Sequence, residues 1–167
     1  MKKYVFIAIL INLTGVLVFF SYSVIQKENT LKEGKLVLLR LAPVDPRSLM
    51  QGDYMRLNYE ISRLPINYDR DDLPKRGYCV VKTDSAGVVI ADDVRFQAEK
   101  TPLNEGEQLV KYFSRTGWSV NIGAESFFFQ EGQAAKFEQA KYGGIMVDKE
   151  GNSILVGLYD EELNRIE

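Results

Sequence analysis

A mainly β domain behind a single N-terminal transmembrane helix is the fold class the sequence predicts, and three observations predict it. The 167-residue chain opens with an uncharged run of 22 residues, Tyr4 to Ile25. From Leu36 onward the apolar residues come in short runs punctuated by Gly, Pro, Asn and Asp, the pattern of strands and tight turns. Two of these stretches follow one plan, an apolar run, then D-x-x-G, then a second apolar run, which reads as a hairpin. The expectation is a barrel or sandwich of about eight to ten strands with one short helix.

The apolar run comes first. As a helix rising ~1.5 Å per residue it extends ~33 Å, enough for a hydrocarbon core of ~30 Å. Asn12, Thr14, Ser21 and Ser23 are its polar interruptions. It is longer than the apolar part of a cleaved signal peptide, and only Ser21-Tyr22-Ser23 offers a poor substitute for a cleavage site. Residues 1–25 are therefore read as an uncleaved anchor crossing the bilayer through residues 4–25. Lys2 and Lys3 favour a cytoplasmic N-terminus, while Lys27, Lys32, Lys35 and Arg40 pull the other way. Long domains translocate largely regardless of charge, so the expected topology is N-terminus inside and domain outside, single-pass in the cytoplasmic (inner) membrane.

Residues 26–35 are polar and read as a stalk, an extra turn or two of the anchor helix. Residues 36–167 form the expected extracytoplasmic β domain. Leu36–Leu41 is a strand stopped by Pro43 and Pro46. Asp53–Ile61 is the next, with Met55, Leu57, Tyr59 and Ile61 on one face and Tyr54, Arg56, Asn58 and Glu60 on the other. Asn67–Arg76 is a charged loop. Its Asp69, Asp71 and Asp72 lack the glycine and terminal glutamate of an EF-hand, so it is read as solvated. Gly77–Ile90 is strand, turn Asp84–Gly87, strand. Gln108–Phe113 and Trp118–Ile122 form a hairpin about Arg115-Thr116-Gly117. Glu125–Gln130 is an apolar strand, and Glu131–Tyr142 carries a short helix around Phe137. Gly144–Val156 repeats the strand, turn, strand plan about Asp148–Gly151.

Composition narrows the chemistry. The chain has no histidine and one cysteine, Cys79. That removes Ser-His-Asp and Cys-His catalysis, imidazole zinc ligands and an intramolecular disulfide. A net charge of -2 argues against nucleic acid as a partner. All 23 acidic residues lie beyond Ile25, against 19 basic ones there. No glycine-rich phosphate loop and no metal-ligand spacing occur, so no cofactor and no metal are expected. Cys79 sits in the apolar run 78–81 and reads as a buried thiol. Asp92-Asp93 and the pair Glu125 and Glu131 suit acid–base chemistry by residue type only.

Residues 52–59 read Gly52-Asp53-Tyr54-Met55-Arg56-Leu57-Asn58-Tyr59. This resembles, without gaps, the G-D-Y-x-x-L-x-Y signature of the GDYXXLXY family of bacterial membrane-anchored proteins. Pro43-Val44-Asp45-Pro46-Arg47-Ser48-Leu49 is similar to the P-x-D-P-R segment that often precedes it. Phe128-Phe129-Gln130-Glu131-Gly132 is similar to the family's aromatic strand followed by Glu-Gly. The resemblance covers most of residues 36–158. It implies no assigned reaction, and it implies a multi-spanning membrane protein as partner, because members are often encoded beside one.

The residues of the signature also have a reading of their own. Gly52 gives backbone freedom at a turn, Asp53 accepts hydrogen bonds within it, and Leu57 and Tyr59 face the core. Tyr54 beside Arg56 on the opposite face suits a contact surface. The expected function is a non-enzymatic accessory or binding module, with Gly52, Asp53, Tyr54, Arg56, Leu57 and Tyr59 as motif residues. Two alternatives stand beside it. One is a binding protein secreted after signal cleavage. The other is a membrane-bound serine–lysine hydrolase, since Leu49-Met50-Gln51-Gly52-Asp53 resembles the L-x-x-G-D stretch of signal peptidases. In those the nucleophile lies five residues before the leucine, where this chain has Val44; Ser48 is misplaced, and Lys75 or Lys82 would have to act as base.

Overall fold

A computed structural model describes residues 2–42, 54–62, 73–114, 119–130 and 132–167. Pro43–Asp53, Asn67–Asp72, Arg115–Trp118 and Glu131, for which the sequence raises expectations, lie outside the described residues. The chain begins as one helix, α1 (Lys2–Glu33), whose apolar side chains from Tyr4 to Ile25 are exposed all round its axis. It is long and apolar enough to cross a membrane. The polar segment after Ile25 continues the same helix for two more turns, and Gly34 alone separates it from β1 (Lys35–Arg40). A Cβ at Gly34 would lie 2.3 Å from the Thr30 carbonyl oxygen, so the switch from helix to strand needs a residue without one.

The remainder is mainly β, with ten strands among the described residues arranged in three curled sheets. The strands after β1 are β2 (Tyr54–Arg56), β3 (Arg76–Lys82), β4 (Arg95–Gln97), β5 (Glu107–Ser114), β6 (Val120–Asn121) and β7 (Ser126–Phe128). After a short helix, α2 (Ala134–Phe137), come β8 (Tyr142–Val147), β9 (Ser153–Tyr159) and β10 (Arg165–Ile166). One sheet has the order β1-β8-β9-β10, a second β4-β3-β5-β6, and β2 pairs with β7 as a two-stranded ribbon. The core between them is apolar: Val37, Leu39, Tyr59, Val81, Val110, Ile145 and Leu158 are all fully buried.

Both D-x-x-G turns form as expected. Gly87 and Gly151 take φ of +82° and +81°, and the first aspartate accepts backbone N–H groups within each turn. A third turn of the same build joins β9 to β10, where Asp160 accepts the Asn164 N–H but Leu163 stands in the glycine position at φ 64°. A leucine there is strained. Leu163→Gly is expected to stabilise the domain by about 1 kcal/mol, read as a rise of about 2–4 °C in Tm.

Three expectations change. The strand predicted over Asp53–Ile61 keeps its alternation, with Met55, Leu57, Tyr59 and Ile61 buried and Tyr54, Arg56 and Asn58 exposed. Its ladder with β7 ends early, because Asn58 turns to accept the Ala42 N–H at 2.7 Å and Tyr59 bridges Leu41. Glu60–Ser62 then closes as a 3-10 turn. The second arm of the Asp84–Gly87 hairpin is two isolated bridges instead of a strand. Val88 pairs with Leu38 of β1 and Val89 with Thr83, so this arm wedges between two sheets. The helix around Phe137 is four residues long, because Tyr142 is claimed by pairing with Arg40 and Tyr159.

Candidate binding surface

The β2–β7 ribbon divides the octapeptide between two environments. Tyr54 pairs with Phe128, Met55 with Phe127 and Arg56 with Ser126. Strand alternation then sends Met55 and Leu57 inward, each 2% exposed, and leaves Tyr54 and Arg56 outside. Gly52 and Asp53 lie outside the described residues. Tyr59 enters the core. Its hydroxyl donates to the Ala124 carbonyl at 2.5 Å, and burial pushes its phenol well above the ordinary range. Gly143 packs against its ring, where a Cβ would lie 2.8 Å from Tyr59 Cε1.

Outside, Tyr54 and Phe128 meet with ring centroids 5.8 Å apart. Phe128 is 74% exposed and Tyr54 39%, so the two rings form a contiguous apolar patch. The ribbon beneath is held stiffly. Phe127 and Phe129, on the inner face, pack on Phe137 at 4.9 and 5.7 Å, and the Leu57 N–H donates to the Glu125 carbonyl. The result is an aromatic pair with an exposed arginine on the same strand, on a backbone fixed from behind. Phe128 was missed as a site residue by sequence reasoning: alternation separates it from Phe127 and Phe129, but the pairing with Tyr54 decides which of the two sets faces outward.

On the inner side of the same segment, Met55 and Leu57 form the floor of a cleft of about 390 Å³. Its rim mixes Arg40 and Lys141 with Glu60, Glu138 and Glu161. The Arg40 guanidinium lies 5.8 Å from the Tyr142 ring centre, and Tyr142 and Glu60 strengthen its hold on its proton. The mixed charge selects no single ligand class.

Of the catalytic candidates, Glu125, Asp93 and Lys82 are engaged elsewhere. Glu125 caps the preceding turn, accepting the Ile122 N–H at 2.5 Å. Asp93 pairs with Lys82 at 3.8 Å. Cys79 is fully buried, and burial pushes its thiol up to about 12, so it holds its proton at neutral pH. Ser48 and Glu131 lie outside the described residues, and Lys75 is exposed. Among the described residues no three acidic or cysteine side chains converge as metal ligands.

A family model described as GDYXXLXY protein matches residues 16–158, which takes in the second half of α1 and nearly all of the β domain. The chain belongs to the GDYXXLXY family. No curated protein and no solved structure matches it. Within this family member the signature is a two-sided device. Its Leu57 and second tyrosine, Tyr59, build the core, while its first tyrosine, Tyr54, is presented outward.

Proposed function

We propose that this GDYXXLXY protein is a membrane-anchored accessory module that docks a multi-spanning membrane protein, or another envelope component, through the outer face of the β2–β7 ribbon. The observation that carries the reading is the Tyr54–Phe128 pair, two large rings exposed side by side on a stiff support. Aromatic residues beside an arginine are the composition of binding hot spots. The proposed division is anchor 1–25, stalk 26–35 and β domain 36–167, with the domain outside the cytoplasmic membrane. The two lysines at the extreme N-terminus support that orientation. Retention of the anchor, as against secretion after cleavage, is supported by a continuous helix through Ser21–Ser23 and by the Thr30 hydroxyl on Asp148, which makes α1 part of the domain's packing.

Co-purification of the full chain in mild detergent tests this. A specific membrane companion is expected, and Tyr54→Ala combined with Phe128→Ala weakens its retention by about 30-fold or more, as for a hot spot worth about 2 kcal/mol. Both side chains are exposed, so the thermal unfolding of the domain is expected to stay within about 0.5 kcal/mol of wild type. Recovery of the chain alone, or a companion indifferent to the double substitution, overturns the reading. A reporter active only outside the cytoplasm, fused after Glu167, is expected to be active.

A further inference from the structure

The polar interruptions of the apolar run are not equivalent. A threonine or serine hydroxyl can be satisfied by bonding back to its own helix, but an asparagine amide has two N–H donors and a carbonyl acceptor, more than its own helix satisfies, and in hydrocarbon the remainder favours a partner on another chain. Asn12 lies within three residues of the midpoint of the Tyr4–Ile25 run, its side chain is exposed, and nothing among the described residues pairs with it. Gly15 follows on the same face, and the space where its Cβ would point is empty to 4 Å, so a second backbone can come close. Ala8, Asn12, Gly15, Phe19, Tyr22 and Gln26 continue one stripe, and Gln26 donates to the Tyr22 hydroxyl at 3.1 Å along it.

That stripe leads to the domain. Asn12 and Thr30 are 18 residues apart, five whole turns at 3.6 residues each, so they share one side of α1. Thr30 is 3% exposed, with its hydroxyl donating to Asp148 in the β8–β9 turn at 2.8 Å. The turn therefore stands above the Asn12–Gly15 face. Two parallel copies meeting on this face would bring two such turns onto the same ground. A helix that ends or bends away at the bilayer surface, below Thr30, carries no such turn and stays clear of this one.

We propose that the Asn12–Gly15 face of α1 receives a transmembrane helix of another protein that presents an amide or hydroxyl side chain at mid-bilayer. This rests on the reading of the chain as a membrane-anchored accessory module and gives that module a second, intramembrane contact with its partner.

The test uses the full-length protein in phosphatidylcholine vesicles, with two labelled 20-residue leucine-rich membrane peptides, one carrying a central asparagine and one all-leucine. Energy transfer reports association. The asparagine peptide is expected to bind about threefold to twentyfold more tightly. Asn12→Leu removes that preference, Gly15→Ile weakens binding of the asparagine peptide, and Leu17→Ala, away from the stripe, leaves it unchanged. Circular dichroism confirms that the β domain is intact in each variant. Equal binding of the two peptides, or a preference that survives Asn12→Leu, overturns the proposal. Self-association of labelled full-length chains that depends on Asn12 also overturns it, by making the occupant a second copy. If the asparagine preference fails while a companion still depends on Tyr54 and Phe128, only the intramembrane contact is lost. Absence of any companion removes the reading beneath it.

Discussion

Tyr59→Ala is expected to cost the domain about 3–5 kcal/mol, the range for truncating a large buried side chain, against a total stability of about 5–15 kcal/mol. The ring is fully buried at the point where the chain leaves the β2–β7 ribbon to bridge Leu41, so it touches elements from three parts of the sequence. Gly143 and Ala124 hold it from two sides, one by close approach and the other by accepting its hydroxyl. Tyr59→Phe separates the two contributions. It keeps the ring and leaves the Ala124 carbonyl without its donor, for an expected loss of about 1–2 kcal/mol. Urea unfolding in detergent, followed by the fluorescence of the single tryptophan, Trp118, measures both. Equal effects of the two variants would mean that the hydroxyl, and not the packing, is what the second tyrosine of the signature supplies.

The second large effect is expected at Asp148, which joins α1 to the domain. Its carboxylate accepts the backbone N–H groups of Glu150 and Asn152, the Asn152 side-chain amide and the Thr30 hydroxyl, at 2.8–2.9 Å. Burial acts against the charged form, but these four donors outweigh it and hold the carboxyl below its ordinary value. Asp148→Ala leaves the N–H groups of the turn without their acceptor and the buried Thr30 hydroxyl with the Gln26 carbonyl alone, at 3.1 Å, for a loss of about 2–3 kcal/mol. The sign of the pH dependence follows from the lowered value. The contribution is complete above the ordinary carboxylate range near pH 4 and is lost as the pH falls through the depressed value. Protease sensitivity of residues 26–35 is expected to rise in Asp148→Ala at neutral pH, and in wild type only in strong acid. An unchanged acid profile in Asp148→Asn would show that this carboxylate does not control the junction.

Much of this was legible in the sequence wherever the cause is local. The alternation from Tyr54 to Ile61 reports which side chains are buried even after the regular strand has ended, because side-chain parity persists through the bridge at Tyr59. Asp84 to Gly87 and Asp148 to Gly151 announce their turns because an aspartate and a left-handed glycine are the turn's own requirements. The Asp160–Leu163 turn was not legible, since its fourth residue breaks the rule and the neighbouring β9–β10 pairing enforces the geometry. Pairings between distant segments left no local mark. Nothing around Tyr54 names Phe128, 74 residues later, and nothing around Thr30 names Asp148. The apolar character of Glu125–Gln130 announced a strand, but which of its three phenylalanines would face outward depended on the partner.

Gly34 has a consequence for what the domain can reach. With Tyr4–Ile25 in hydrocarbon, the eight residues from Gln26 to Glu33 lift the junction about 12 Å above the membrane core. From there β1 extends at most about 20 Å further. A domain on a loose linker sweeps a wide volume and meets any target inside it at a diluted local concentration. Here a one-residue hinge, braced by Thr30 on Asp148, leaves little to sweep. Under the proposed docking role the domain is a bracket: a surface set at its own height and bearing would be met with almost no search, and one set a nanometre higher or on the far side of the helix would be passed over.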